Sequence, residues 1–174
     1  MRSLGFLLCT SVMIFTIAMA DKMAAIHVDF ATVKSSDDLL PVDGLTSSGQ
    51  PDEAEFALFA AAGYVAVVDL RGPAENRGLD EAAVLEELNL DYVTLPLSSP
   101  DAISFENAAK LDQILSAYDG PVLVHCGSGN RVGALLALSK SLQGADDEEA
   151  LVYGRSAGMT GLEPVVRSRL AEDQ

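Results

Sequence analysis

Pro121-Val122-Leu123-Val124-His125-Cys126-Gly127-Ser128-Gly129-Asn130-Arg131-Val132-Gly133 joins a short apolar, β-branched run to a helical pattern through two glycines. The run predicts a buried strand, and the segment from about Arg131 to Leu142 predicts a helix. Two further strands have the same character, Tyr64-Val65-Ala66-Val67-Val68-Asp69-Leu70 and Asp91-Tyr92-Val93-Thr94-Leu95-Pro96-Leu97. Helical patterns separate them. One opens at Pro51 with Asp52, Glu53 and Glu55 and closes at Gly63, one covers Asp80 to Leu88, and one runs from a Ser104 cap to about Tyr118. A C-terminal pair begins near Asp146 and Glu163. Strand and helix in alternation predict an α/β fold, a central mainly parallel sheet flanked by helices.

In such a sheet, ligands bind beyond the carboxyl ends of the strands. Arg71, the segment Ser98-Ser99-Pro100-Asp101, and Cys126 each follow a strand, so they should meet at one edge. Gly127 and Gly129 allow the backbone between Cys126 and Arg131 to turn its N–H groups inward around an anion, and the following helix adds the positive end of its dipole. The same groups favour a thiolate, so Cys126 is expected to react below the usual thiol pKa of about 8.5. A phosphate fits them equally well, with the loop N–H groups of Gly127, Ser128, Gly129 and Asn130 around it and Arg131 gripping two of its oxygens in a fork. The opposing reading is an inert buried cysteine in an ordinary strand-to-helix turn, with Arg131 paired to a surface acid.

Composition limits the partners. Of 174 residues, 49% are hydrophobic and 21% charged, which predicts a folded globular chain rather than a disordered one. The 26 acids against 11 bases give a net charge of −15, which argues against nucleic acid as a partner. Arg2, the apolar run Leu4 to Ala18 and the small-x-small site Ala18-Met19-Ala20 predict a secretory signal over 1–20. Cleavage after Ala20 would leave a single domain over 21–174, secreted or periplasmic, without stable membrane insertion. It removes Cys9, leaving Cys126 as the one thiol and no intramolecular disulfide. Two histidines and one cysteine make no metal cluster, and the acids Asp146 to Glu149 suit a helix start better than a metal. His27 reads as a surface residue and Arg155 as either an anion ligand or a helix-surface ion pair.

His125-Cys126 with the glycine loop and Arg131 resembles the P-loop of cysteine-based tyrosine and dual-specificity phosphatases. Ser48-Gly49-Gln50-Pro51, Ala62-Gly63-Tyr64, Val68-Asp69-Leu70-Arg71 and Gly154-Arg155-Ser156-Ala157-Gly158 are similar to a small bacterial branch of that superfamily, related to the phosphatase domain of β-lactamase-hydrolase-like proteins. The resemblance covers roughly residues 40–170 and implies a cysteine-phosphatase-like fold. It implies hydrolysis of a phosphorylated small molecule or phosphoprotein through a phosphocysteine on Cys126, with no cofactor and with His125 orienting the loop. It also implies a general acid on the loop after the strand ending at Leu97, where Ser98 or Ser99 takes the usual place of aspartate. Asp101, the one acid between Asp91 and Glu106, becomes the candidate, against a plain turn role. Arg71 is a candidate for supporting substrate anions, against a packing role.

The chain departs from the wider superfamily in two places. Four residues, not five, separate Cys126 from Arg131, and Val132 stands where a hydroxyl residue is common. The short loop resembles that of rhodaneses, which makes a sulfurtransferase the alternative enzyme. A non-catalytic phosphate- or sulfate-binding protein is the alternative of a different class.

Overall fold

The computed structural model describes residues 26–172, and the expected signal segment 1–20 lies outside them. Val122–His125 forms the central strand of the sheet, and its four residues are all buried because strands pair on both sides of it and helices cover both faces. In chain order the strands are β1 (His27–Val28), β2 (Leu45–Ser48), β3 (Ala66–Asp69), β4 (Asp91–Thr94) and β5 (Val122–His125), with the spatial order β1-β2-β5-β3-β4. Every pairing is parallel, as the alternating pattern predicts.

The helices are α1 (Glu53–Ala61), α2 (Glu81–Glu87), α3 (Phe105–Leu115), α4 (Asn130–Leu142), α5 (Asp147–Ser156) and α6 (Glu163–Glu172). Strand side chains alternate between two cores. Val67 and Leu123 face Phe56 and Phe59 of α1 and Leu85 of α2. Ala66, Val68, Val122, Val124 and Cys126 face Leu111, Leu135 and Leu151 of α3, α4 and α5. Side chains of Asp52 and Asp146 cap α1 and α5, each in a reciprocal capping box, and Ser104 caps α3. The acids at 146–149 thus begin a helix, as read from the sequence. Gly133 lets α4 meet α5 closely: a Cβ there would lie 2.2 Å from the Met159 nitrogen and 2.4 Å from the Gly154 carbonyl oxygen.

Strand β2 has the sequence Leu-Thr-Ser-Ser and is nevertheless fully buried. Its hydroxyls are satisfied inside the protein: Thr46 pairs with the Tyr64 hydroxyl, Ser47 donates to Ala157 O at 2.8 Å, and Ser48 donates to Gly49 O at 2.7 Å.

Candidate active site

The parallel register brings the ends of β2, β3, β4 and β5 to one edge. Cys126 follows β5 and its amide donates to Ser48 O at 3.4 Å. The loop then turns over Gly129, whose φ of +79° is left-handed and whose position caps α4. Gly49 lies against the loop, and a Cβ there would be 3.4 Å from Gly127 O. These contacts place Cys126, Gly127, Ser128, Gly129, Asn130 and Arg131 at the amino end of a 13-residue helix, whose first-turn N–H groups open toward the loop.

Arg131 is the hub. It donates through Nη1 to Glu75 Oε1 at 2.5 Å and to Leu97 O at 3.1 Å, and through Nη2 to Glu75 Oε2 at 2.6 Å. A Cβ on Gly127 would lie 3.6 Å from the same Nη2. Of the five guanidinium N–H groups, Glu75 and Leu97 take three, which leaves Nε–H and one Nη2–H as an edge open toward the Cys126 side chain. The hydrogen bonds that Arg131 donates to Glu75 raise its pKa against burial, and the Cys126 side chain and the Glu75 charge act in the same direction. The Arg131 and Cys126 side chains are therefore neighbours.

Glu75 is held in turn. Its Oε1 accepts from Gly72 N–H at 2.7 Å. The Arg131 hydrogen bonds, working against desolvation and joined by the Gly72 N–H and the charges of Arg131 and Arg71, bring its pKa down to about 2 from 4.5. A carboxyl group depressed in the folded state stabilises that state fully above its unfolded pKa and loses the contribution as the pH falls through the folded one. The Glu75–Arg131 pair should therefore hold at pH 5 and break only near pH 2. A carbon-13 titration of the Glu75 carboxyl checks this, and a midpoint near 4.5 would mean that the pair does not persist in solution.

A cleft of about 220 Å³ opens beside Arg131, with Leu97, Ser98, Ser99, Pro100 and Ile103 along one wall and Asn130, Arg131 and Leu162 along the other. Asp101 belongs to the turn Pro100–Ala102 but does not line this cleft. Its side chain is 96% exposed and reaches Arg169 Nη2 at 3.5 Å, so the 3₁₀ turn points the expected acid out of the site. The expectation for Arg71 is corrected as well. Arg71 is 2% exposed and bonded to Asp69 and Glu81, so it braces the interior and meets no substrate. Asn130 is placed at the loop, where its side-chain oxygen accepts from the Thr160 and Leu162 N–H groups at 2.8 and 3.3 Å, so that its side-chain NH₂ and its backbone N–H are the donors it has for an anion. Cys126 itself is 1% exposed, and Val132 is buried in the same core. The His125 ring lies on the opposite sheet face, edge-on to Phe56 and with Nε2 2.7 Å from Glu81 Oε1.

Other sequence readings change or hold on contact with their neighbours. Arg155 pairs with Glu148 and Glu163 on the surface. His27 is no free surface residue: Nδ1 meets Ser47 Oγ at 3.2 Å, and its ring packs where a Cβ on Gly129 or Gly158 would stand. Burial lowers its pKa, with Asp29 acting in the other direction. Asp69, Glu81 and His125 have metal-ligand spacing, but Arg71 bonds both carboxylates and Arg77 bonds Asp69, so cations of the protein already occupy them. Glu75 and Glu81 went unread in the sequence. The available signal for Glu75 was its place in Arg71-Gly72-Pro73-Ala74-Glu75, on the loop beyond the strand that neighbours β5.

Comparison with known proteins agrees with this fold. The family described as beta-lactamase hydrolase-like protein, phosphatase-like domain, matches residues 38–143. A beta-lactamase hydrolase-like protein of Xylella fastidiosa is 35% identical over 114 residues, 62% of this chain and 26% of that protein. One from Agrobacterium fabrum is 30% identical over 104 residues, 58% of this chain and 24% of its own length. The chain thus spans about a quarter of the length of these curated relatives. Among solved structures, a candidate phosphatase from Neisseria meningitidis has a TM-score of 0.63 at 23% identity, covering 75% of this chain and 93% of that one. TpbA of P. aeruginosa has a TM-score of 0.57 at 25% identity, covering 75% and 86%. A second TpbA structure, with a TM-score of 0.58 at 23% identity, covers 72% and 77% and holds pTyr.

Proposed function

This chain belongs to the phosphatase-like domain family of beta-lactamase hydrolase-like proteins, and on that premise we propose that it hydrolyses phosphate monoesters through a phosphocysteine on Cys126. The observation that carries the reading is the open edge of Arg131. Glu75 fixes the guanidinium plane from one side, and the remaining N–H pair lies beside Gly127 and the cysteine sulfur. Phosphoryl oxygens that bind this edge and the loop N–H groups arrive next to the nucleophile.

The sulfur attacks phosphorus, the P–O bond to the leaving group breaks, and the departing oxygen takes a proton. Water then attacks phosphorus, the P–S bond breaks, and the thiolate is restored. Charge on the transferring phosphoryl group is held by Arg131 and the loop amides in both steps. The apolar walls of the cleft, Leu97, Pro100, Ile103 and Leu162, suit an aryl leaving group, which favours phosphotyrosine-like or small aryl phosphates. The pTyr held by TpbA supports the same class.

With Asp101 turned to solvent, the leaving oxygen takes its proton from water. Asp101→Asn should then change hydrolysis of phenyl phosphate and of p-nitrophenyl phosphate by less than about twofold, where a true general acid contributes on the order of 10² or more. A selective loss on phenyl phosphate, whose leaving group is poorer, would return Asp101 to the mechanism.

The four-residue loop favours one second reading, a sulfurtransferase with a persulfide on Cys126. Aryl phosphate hydrolysis and thiosulfate-to-cyanide sulfur transfer, assayed on the same preparation, decide between them. The phosphatase reading requires the first activity to exceed the second, and the reverse would overturn it.

A further inference from the structure

Behind the loop lies a buried ionic network that the phosphoryl steps leave unused. His125 and Cys126 are consecutive and point to opposite faces of the sheet, the ring toward Phe56 and the sulfur toward α4. His125 Nε2 is 2.7 Å from Glu81 Oε1, and Glu81 Oε2 accepts from Arg71 Nη2 at 2.5 Å. Asp69 Oδ1 is 3.9 Å from the same ring nitrogen. The guanidinium groups of Arg71 and Arg77 balance the two carboxylates. Nδ1 of His125 is buried and has no hydrogen-bond partner.

An ionised carboxylate only accepts, so the His125 hydrogen must stand on Nε2. We propose that Glu81 is a positioning residue for Cys126, acting through His125 by holding that hydrogen on Nε2 and fixing the ring at the end of β5. The backbone of this end is already pinned, with Leu70 N–H donating to His125 O at 2.9 Å and Cys126 N–H donating to Ser48 O. The ring bond to Glu81 adds the connection to α2. The reaction being positioned is the phosphatase reading above, whereas the tautomer stands apart from it.

Glu81→Gln discriminates a tautomer role from mere packing. Arg71 is permanently charged and demands the single amide oxygen, so the NH₂ of the glutamine faces Nε2 and drives the ring hydrogen to Nδ1. The chain has two histidines, and His27→Gln assigns their nitrogen-15 signals. The wild type should show a protonated Nε2 on His125. Folded Glu81→Gln should show a bare Nε2, with alkylation of Cys126 by iodoacetamide and kcat for p-nitrophenyl phosphate each about tenfold slower, and KM unchanged. His125→Asn should slow both rates to a similar degree, and adding Glu81→Gln to it should cost nothing more. A bare Nε2 in the wild type overturns the proposal even if Glu81→Gln does not fold. So do additive losses, or a tautomer change that moves neither rate. A wild type that hydrolyses no phosphate ester, but whose alkylation still responds to Glu81→Gln, would sink the phosphatase reading and leave this one standing.

Discussion

Replacing Cys126 with serine is expected to lower turnover of p-nitrophenyl phosphate by a factor on the order of 10³ or more, while the affinity for inorganic phosphate changes by less than about threefold. The asymmetry follows from which groups do what. Binding rests on the Arg131 edge and the loop amides, which the substitution leaves in place. Attack rests on the sulfur. A serine hydroxyl is far less acidic, and the titratable side chains around it are committed: Glu75 to Arg131, and His125 to Glu81 on the other face of the sheet. Because Cys126 is 1% exposed in an apolar cluster, the new hydroxyl also has to be desolvated, at about 1–3 kcal/mol if it finds no partner. Thermal unfolding must therefore accompany the assay, and phosphate titration by calorimetry on the folded variant separates the two effects. Residual turnover within tenfold of wild type would exclude the phosphocysteine.

The parts of the fold that were legible in the sequence are those whose burial is apolar. Strands β3, β4 and β5 announce themselves through valine, leucine and tyrosine, and the helices through their acids, caps and closing glycines. β2 does not, because Thr46, Ser47 and Ser48 carry no apolar pattern, and their burial rests on hydroxyls that bond Tyr64, Ala157 and Gly49. The same distinction runs through the site. Cys126, the glycines and Arg131 are contiguous and follow a strand, so one local pattern carries them. Glu75 is 56 residues from Arg131, and in a chain with 26 acids nothing local marks it as the partner. Glu81 opens a helix, where an acid is ordinary, yet it is buried against His125. Asp101 fails for the converse reason. The resemblance pointed to the loop after Leu97, where Asp101 is the one acid, but a place in the chain does not set direction, and the turn at Pro100–Ala102 sends the carboxylate toward Arg169.

Arg131→Lys is expected to reduce kcat/KM by about 10² to 10³, the range for removing a donor aimed at transition-state charge. Charge is conserved in this change, so the loss measures geometry. The guanidinium serves three partners from one rigid plane: two bonds to Glu75, one to Leu97 O, and an open edge beside the sulfur. Lysine has three donors around a single nitrogen and no planar edge. Whichever donors turn to the ionised Glu75 carboxylate are withdrawn from the phosphoryl oxygens, and a lysine drawn toward the oxygens leaves Glu75 without its partner. The fold should tolerate the change, since the Arg131 side chain is 20% exposed and lies at the rim of the sheet. Circular dichroism and the melting temperature would establish that. The trigonal arrangement of the equatorial oxygens is reached only in the transition state, so a loss of geometry should weaken it more than substrate binding, and kcat carries most of the loss while KM rises less. A lysine variant that kept more than about a third of wild-type kcat/KM would mean that a point charge suffices. The open guanidinium edge would then no longer be the feature on which the reaction depends.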